Sequence, residues 1–162
     1  MTYLLDTDTF SNLARDHARV ELRYGLVGNA ATCISTVTLH EIEFGRLLHP
    51  ERMTRYNPRI NALLREIPVL PLDVDDARAS SRIEATLTRA GQRIGEYDVL
   101  IAGTALARGL ILVTSNTREY CRVDGLQLED WREATLEVRE PLHAAHRYRA
   151  AARSTTSHPM MA

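Results

Sequence analysis

The apolar and polar positions alternate between two kinds of segment along this chain. Short β-branched or aliphatic runs read as buried strands, and stretches with apolar residues three or four apart read as amphipathic helices. Tyr3-Leu4-Leu5 is the first such run and stops abruptly at Asp6-Thr7-Asp8-Thr9. Thr9 to about Tyr24 has helical spacing, with Phe10, Leu13 and Leu22 among its apolar positions. Ala31 to Thr36 reads as a second strand, and Thr38 to Leu48 as a helix offering Leu39, Ile42, Leu47 and Leu48 to a core. Pro50 stops it, because proline disfavours helix in the residue before it. Residues 51–67 form a further amphipathic helix with Met53, Ile60, Leu63, Leu64 and Ile67. Val69 to Leu72 is a short strand, and its proline assigns it to a sheet edge. Val74 to Ala90 is helical up to Gly91, and Tyr97 to Arg108 is an alanine-rich helix ended by Gly109. Leu110 to Thr114 is the clearest strand. A helical turn at Thr117–Tyr120 and a strand at Leu126–Leu128 close the unit near Trp131.

Strands alternating with helices imply a parallel sheet covered on both faces, an α/β three-layer sandwich. That pattern spans 1–132. From 133 to 162 the character changes to a C-terminal extension. Its first half can form an amphipathic helix through Leu136, Leu142 and Tyr148, and its last residues have a disordered composition.

Composition sharpens the picture modestly. At 162 residues, 44% hydrophobic and 25% charged, the chain suits one globular domain. No apolar run reaches membrane-span length and the N-terminus lacks signal-peptide character, so a cytoplasmic protein is expected. The net charge of -1 advertises no global field for nucleic acid. Every one of the 20 basic residues is arginine, which excludes any mechanism that needs lysine. Cys33 and Cys121 lie in apolar sequence without C-x-x-C spacing and are expected as buried free thiols.

Candidate chemistry gathers at strand ends and helix starts, which share one crevice in such a sheet. Asp6 follows the first strand, Glu41 lies in the first turn of the helix after the second, and Asp98 begins the apolar helix. Asn116 follows the clearest strand, with Glu119 a turn later. Each has a structural alternative. Asp6 or Asp8 can cap a helix, and Thr38-Leu39-His40-Glu41 fits a capping box. Asp98 suits a helix dipole, and Asn116 suits a turn. As a set they point further, because carboxylates brought together without a cation repel and raise each other's pKa. Oxygen donors with no Cys/His cluster suit Mg²⁺ or Mn²⁺, and phosphodiester hydrolysis is the reaction that layout serves. Arg93, Arg118 and Arg122 are candidate phosphate contacts or plain surface charge, and His40 a surface or packing residue.

These residues resemble the PIN-domain family, and within it the VapC-type toxins of toxin–antitoxin pairs. The matching pieces are Leu4-Leu5-Asp6-Thr7-Asp8, Ser35 to Glu41 with Gly45, Gly95 to Ala102, Val113 to Tyr120, and Gly125 to Trp131. The resemblance implies a PIN-like nuclease domain over 1–132 with Asp6, Glu41 and Asp98 as metal ligands and, with Asn116, as catalytic residues. It implies Mg²⁺-dependent endoribonuclease cleavage of cellular RNA (tRNA, rRNA or mRNA), with Mn²⁺ able to substitute. A VapB-type antitoxin, and a homodimer or toxin–antitoxin hetero-oligomer, are the implied partners. Two departures stand out. Asp8 occupies a place where asparagine is frequent, and Asn116 stands where many relatives carry a fourth aspartate.

Two other readings compete. A catalytically weak PIN-like module would act only by binding a partner. A haloacid-dehalogenase-like phosphotransferase would use Leu5-Asp6-Thr7-Asp8-Thr9, with Asp6 as nucleophile and Asp8 as general acid. That family normally needs a lysine, which this chain lacks.

Overall fold

A computed structural model describes residues 1–133. Its five strands are β1 (Tyr3–Leu5), β2 (Thr32–Ser35), β3 (Val69–Leu70), β4 (Ile111–Val113) and β5 (Gln127–Glu129). They pair in the order β3-β2-β1-β4-β5, and every pairing is parallel. β1 is central, with Leu4 opposite Cys33 on one side and Leu112 on the other. Leu4 and Leu5 are completely buried because both faces of the sheet are covered. The pleat sends Tyr3 and Leu5 to one layer and Leu4 to the other.

The first layer holds α1 (Thr7–Ala14), α2 (Ala18–Val27), α3 (Thr36–Leu48), α4 (Pro50–Met53) and α5 (Asn57–Glu66). Phe10, Leu13, Val20, Ile42, Ile60 and Leu63 pack there with Tyr3 and Leu5. The second layer holds α6 (Val74–Arg89) and α7 (Glu96–Arg108). There Ile83, Leu87, Ile101 and Ala105 meet Leu4 and Leu112. The expected three-layer α/β/α sandwich with a central parallel sheet is the observed fold, and β3 is an edge strand as its proline required.

Several boundaries differ from the sequence expectation. The helix expected over 9–24 is two helices, because Asp16 adopts a left-handed backbone (φ 56°) between α1 and α2. Leu22, counted for the core, is 60% exposed. The helix expected over 51–67 is also two, and Pro50 occupies the first position of α4, where its fixed φ suits a helix start. α3 begins at Thr36, two residues early, and its last turn leaves Leu47 and Leu48 outward at 81% and 55% exposure. Cys33 is buried and its thiol is pushed up to about 11 by that burial, whereas Cys121 is exposed; both are free. The expectation of two buried thiols therefore fails at Cys121, on the exposed end of α8 (Thr117–Tyr120).

α6 and α7 are held together by charge and by close approach. Asp73 and Asp76 form the capping box of α6. Arg108, at the end of α7, reaches Asp76 with Nε–Oδ1 and Nη2–Oδ2 distances of 3.0 and 2.6 Å, and Asp73 at 3.0 Å. Gly103 lies so close to Ser80 that a Cβ there would fall 2.7 Å from the Ser80 backbone nitrogen. Trp131 closes the body, edge-on to Tyr3 at 5.5 Å, with its indole N–H donating to Glu129 at 2.9 Å. No helix among the described residues is long and apolar enough to cross a membrane. From residue 134 onward, the expected extension lies outside the described residues.

Candidate active site

The strand order reverses direction about β1, so the C-terminal ends of β1 and β4 flank the topological switch point, where open α/β sheets form their ligand crevice. Asp6 stands there. Its backbone N–H donates to the Val113 carbonyl at 3.1 Å, extending the ladder one residue past the strands. Its carboxylate Oδ1 accepts from the Thr9 N–H at 2.7 Å, so Asp6 is the N-cap of α1. Asp6 is thus a cap and also a buried acid, only 5% exposed. Burial raises its pKa to about 6 and the charge of Asp8 adds to this, against the lowering effect of hydrogen bonds from Thr114 and Thr9. Asp8, the alternative cap, does not cap the helix. Asp8 is in the first turn and exposed, and it accepts a hydrogen bond from Ser115 Oγ at 3.4 Å.

Glu41 reaches the same crevice from α3. The Thr38–Glu41 capping box does not form, because Ser35 is the N-cap and its hydroxyl accepts from the Thr38 N–H at 3.0 Å. The helix therefore starts earlier and Glu41 falls in its second turn rather than its first. There it accepts a hydrogen bond from the Thr7 hydroxyl of α1.

Asp98 sits in the first turn of α7, half-buried. Its pKa is raised by burial and by the charges of Glu119 and Asp8, while the Tyr120 hydroxyl, donating to Oδ1 at 2.8 Å, holds it down. Tyr120 is 1% exposed, and its phenol is pushed well above its ordinary value by burial, then by Asp98, Asp6 and Glu41. The Tyr120 phenol lies within the field of all three predicted carboxylates and is hydrogen-bonded to one of them, Asp98. Asn116 begins the turn into α8 on the β4 side. Its N–H donates to Thr114 Oγ1 at 2.9 Å and its carbonyl accepts from Glu119 and Tyr120. Its side chain makes no capping bond.

Sequence reasoning missed Thr7, Thr114 and Tyr120, which orient the carboxylates. The regularity Asn116-Thr117-Arg118-Glu119-Tyr120 offered a signal for Tyr120. Arg132 was missed too; Asp130 and the Ser115 carbonyl (3.2 Å) hold it beside the crevice, within the field of Asp8 and Asp6. Of the suggested phosphate contacts, Arg93 pairs with Glu84 at 3.8 Å and Arg122 donates to the backbone at Gln92 and Arg93. His40 packs against Phe44 and Tyr97 at the surface.

The donor set is all oxygen and its buried acids carry raised pKa values, so a divalent cation would relieve both. Among the described residues no three acidic, histidine or cysteine side chains converge as one ligand cluster. The arrangement accordingly suits an ion held by one or two carboxylates and completed by water, as Mg²⁺ commonly is.

The PIN domain family matches residues 3–126. The chain is 39% identical over 134 residues to a tRNA(fMet)-specific endonuclease VapC of Shigella flexneri, an alignment covering 81% of this chain and 98% of that protein. It is 34% identical to the corresponding Salmonella typhimurium protein over the same shares. The solved structure of DNA-bound VapBC from Salmonella typhimurium superposes with a TM-score of 0.73, covering 81% of this chain and 98% of that one. These matches leave no place for the phosphotransferase reading, whose general acid would be the exposed Asp8. The chain belongs to the PIN-domain family, among its VapC ribonucleases.

Proposed function

We propose that this chain is a divalent-metal-dependent endoribonuclease toxin acting on cellular RNA in the cytoplasm, and that a VapB-type antitoxin restrains it. The observation that carries this reading is Asp6. It is a carboxylate buried at the switch point with its pKa raised to about 6, and Asp98 at the start of α7 is a second carboxylate raised by burial. Perturbed acids that share a crevice mark functional sites. The relatives named as tRNA(fMet)-specific endonucleases favour tRNA as the substrate class. The solved VapBC assembly favours a toxin–antitoxin hetero-oligomer.

Asp6, Asp98 and Glu41 are the residues that would hold Mg²⁺ (or Mn²⁺). When bound, the ion neutralises the crevice and polarises the phosphoryl group. Tyr120 fixes the rotamer of Asp98, and Thr7 fixes that of Glu41. Glu41 is more open than Asp6, which supports a role for it in taking a proton from the attacking water. Asn116 offers an amide to a water or a phosphate oxygen at the β4 edge. The nuclease domain ends near residue 132, where Trp131 seals the sheet, and residues 133–162 form an extension to it.

Expression without the antitoxin, followed by mapping of RNA 5′ ends, tests the reading. Growth arrest with new ends at a few tRNA positions is expected. Normal growth at good levels of folded protein, with no new ends, would contradict it.

A further inference from the structure

A cleft of about 610 Å³ opens beside the acidic crevice, between α1, α3, α4 and α5, and the chemistry above leaves it without a role. Thr7 and Glu41 both line it, so it is continuous with the candidate active site. Phe10, Ile42 and Ile60 give it a buried apolar floor. Its walls carry Arg15, Arg52 and Arg55, all exposed and none in an ion pair among the described residues, along with one acid besides Glu41, Glu51. The Arg55 guanidinium lies 4.4 Å from the ring centre of half-buried Tyr56, and that of Arg15 lies 5.7 Å away.

We propose that this cleft seats one splayed nucleotide of the RNA substrate next to the bond that is cut. The base rests on the apolar floor and the guanidinium–tyrosine stack, and Arg15, Arg52 and Arg55 take the flanking phosphates. This rests on the nuclease reading above. The metal neutralises the crevice at the bond that is cut, but the flanking phosphates also need cations, and in a lysine-free chain the cleft's arginines supply them. Arginine binds phosphate through two parallel N–H groups and stacks on planar groups as well. RNA is recognised largely through unstacked bases laid on aromatic rings or guanidinium planes. The volume lies within the range of small-molecule pockets and accommodates a nucleotide.

The test uses the full chain freed of antitoxin, with Asp98→Asn added so that RNA binds without being cut. Unfractionated tRNA is titrated against this protein and against the same protein carrying Arg52→Glu and Arg55→Glu, with thermal melting to verify folding. The charge reversals are expected to weaken tRNA binding by about 10-fold or more and to reduce the slope of log K against log salt by about 0.7 for each arginine. Arg52→Lys with Arg55→Lys should restore most of the affinity. Unchanged RNA affinity and salt slope overturn the proposal. If antitoxin affinity falls in their place, the cleft is a protein dock. Wild-type protein that cleaves tRNA while the reversed variants bind it normally sinks this inference alone. Wild-type protein that neither binds nor cleaves RNA sinks the nuclease reading, and this inference with it.

Discussion

The buried hydroxyl of Tyr120 donates a 2.8 Å hydrogen bond to Oδ1 of Asp98, tying the turn after β4 to the first turn of α7 across the acidic crevice. That bond holds down a carboxyl that burial raises. Tyr120→Phe removes the bond and leaves the ring. Asp98 should then titrate at higher pH, moving the acidic limb of the pH–rate profile for RNA cleavage upward. Folding stability should fall by about 1 kcal/mol. An unmoved acidic limb would show that Tyr120 only packs.

Asp6 yields a prediction about pH and stability in metal-free protein. Its folded pKa, about 6, lies above the ordinary value of 3.8, so the folded state holds this proton more tightly than the unfolded state. Its contribution to stability is therefore fully present below the unfolded pKa and is lost as pH rises through about 6. Above that, the ionised carboxylate costs about 3 kcal/mol. Asp6→Asn keeps the helix cap, since Asn and Asp cap equally well. It should raise the melting temperature at pH 7 without metal, leave it nearly unchanged at pH 4, and abolish cleavage. Equal melting of the two proteins at pH 7 would refute the burial argument.

Metal should stabilise the wild-type protein by binding the folded state alone. Raising Mg²⁺ or Mn²⁺ is expected to increase the wild-type melting temperature in a concentration-dependent way, and to do so far less in Asp6→Asn or Asp98→Asn. Thermal melting across a metal titration gives the answer, and equal shifts in all three proteins would place the ion elsewhere.

The α6–α7 unit can be broken without touching the crevice. Arg108→Ala leaves the fully buried Asp76 without its cation, and breaking a buried pair in this way costs about 3–5 kcal/mol. Gly103→Ala forces a methyl into the Ser80 backbone and should cost about 1–3 kcal/mol. Denaturant unfolding checks both, while cleavage per folded molecule should remain near wild type.

Local signals carried the sheet and most of the carboxylates. An apolar run that ends in Asp6, or a helix that opens on Asp98, is visible in a few residues. Contacts set by distant parts of the chain were not. Ser35 outcompetes Thr38 as a cap only because β2 delivers it to that position, and this is what aims Glu41 at Thr7. Tyr120 meets Asp98 across 22 positions of sequence. The break at Asp16 depends on a single left-handed residue within an otherwise helical pattern. The arginine-walled cleft draws on four helices, and no window along the chain contains it.

The most direct measurement is cleavage of total RNA by antitoxin-free protein, with and without Mg²⁺ or Mn²⁺, comparing wild type with Asp6→Asn and Asp98→Asn. Cleavage that requires the metal and falls by about 100-fold or more in each variant is the expected result. Metal-dependent cleavage that survives both substitutions would contradict the assignment of the site.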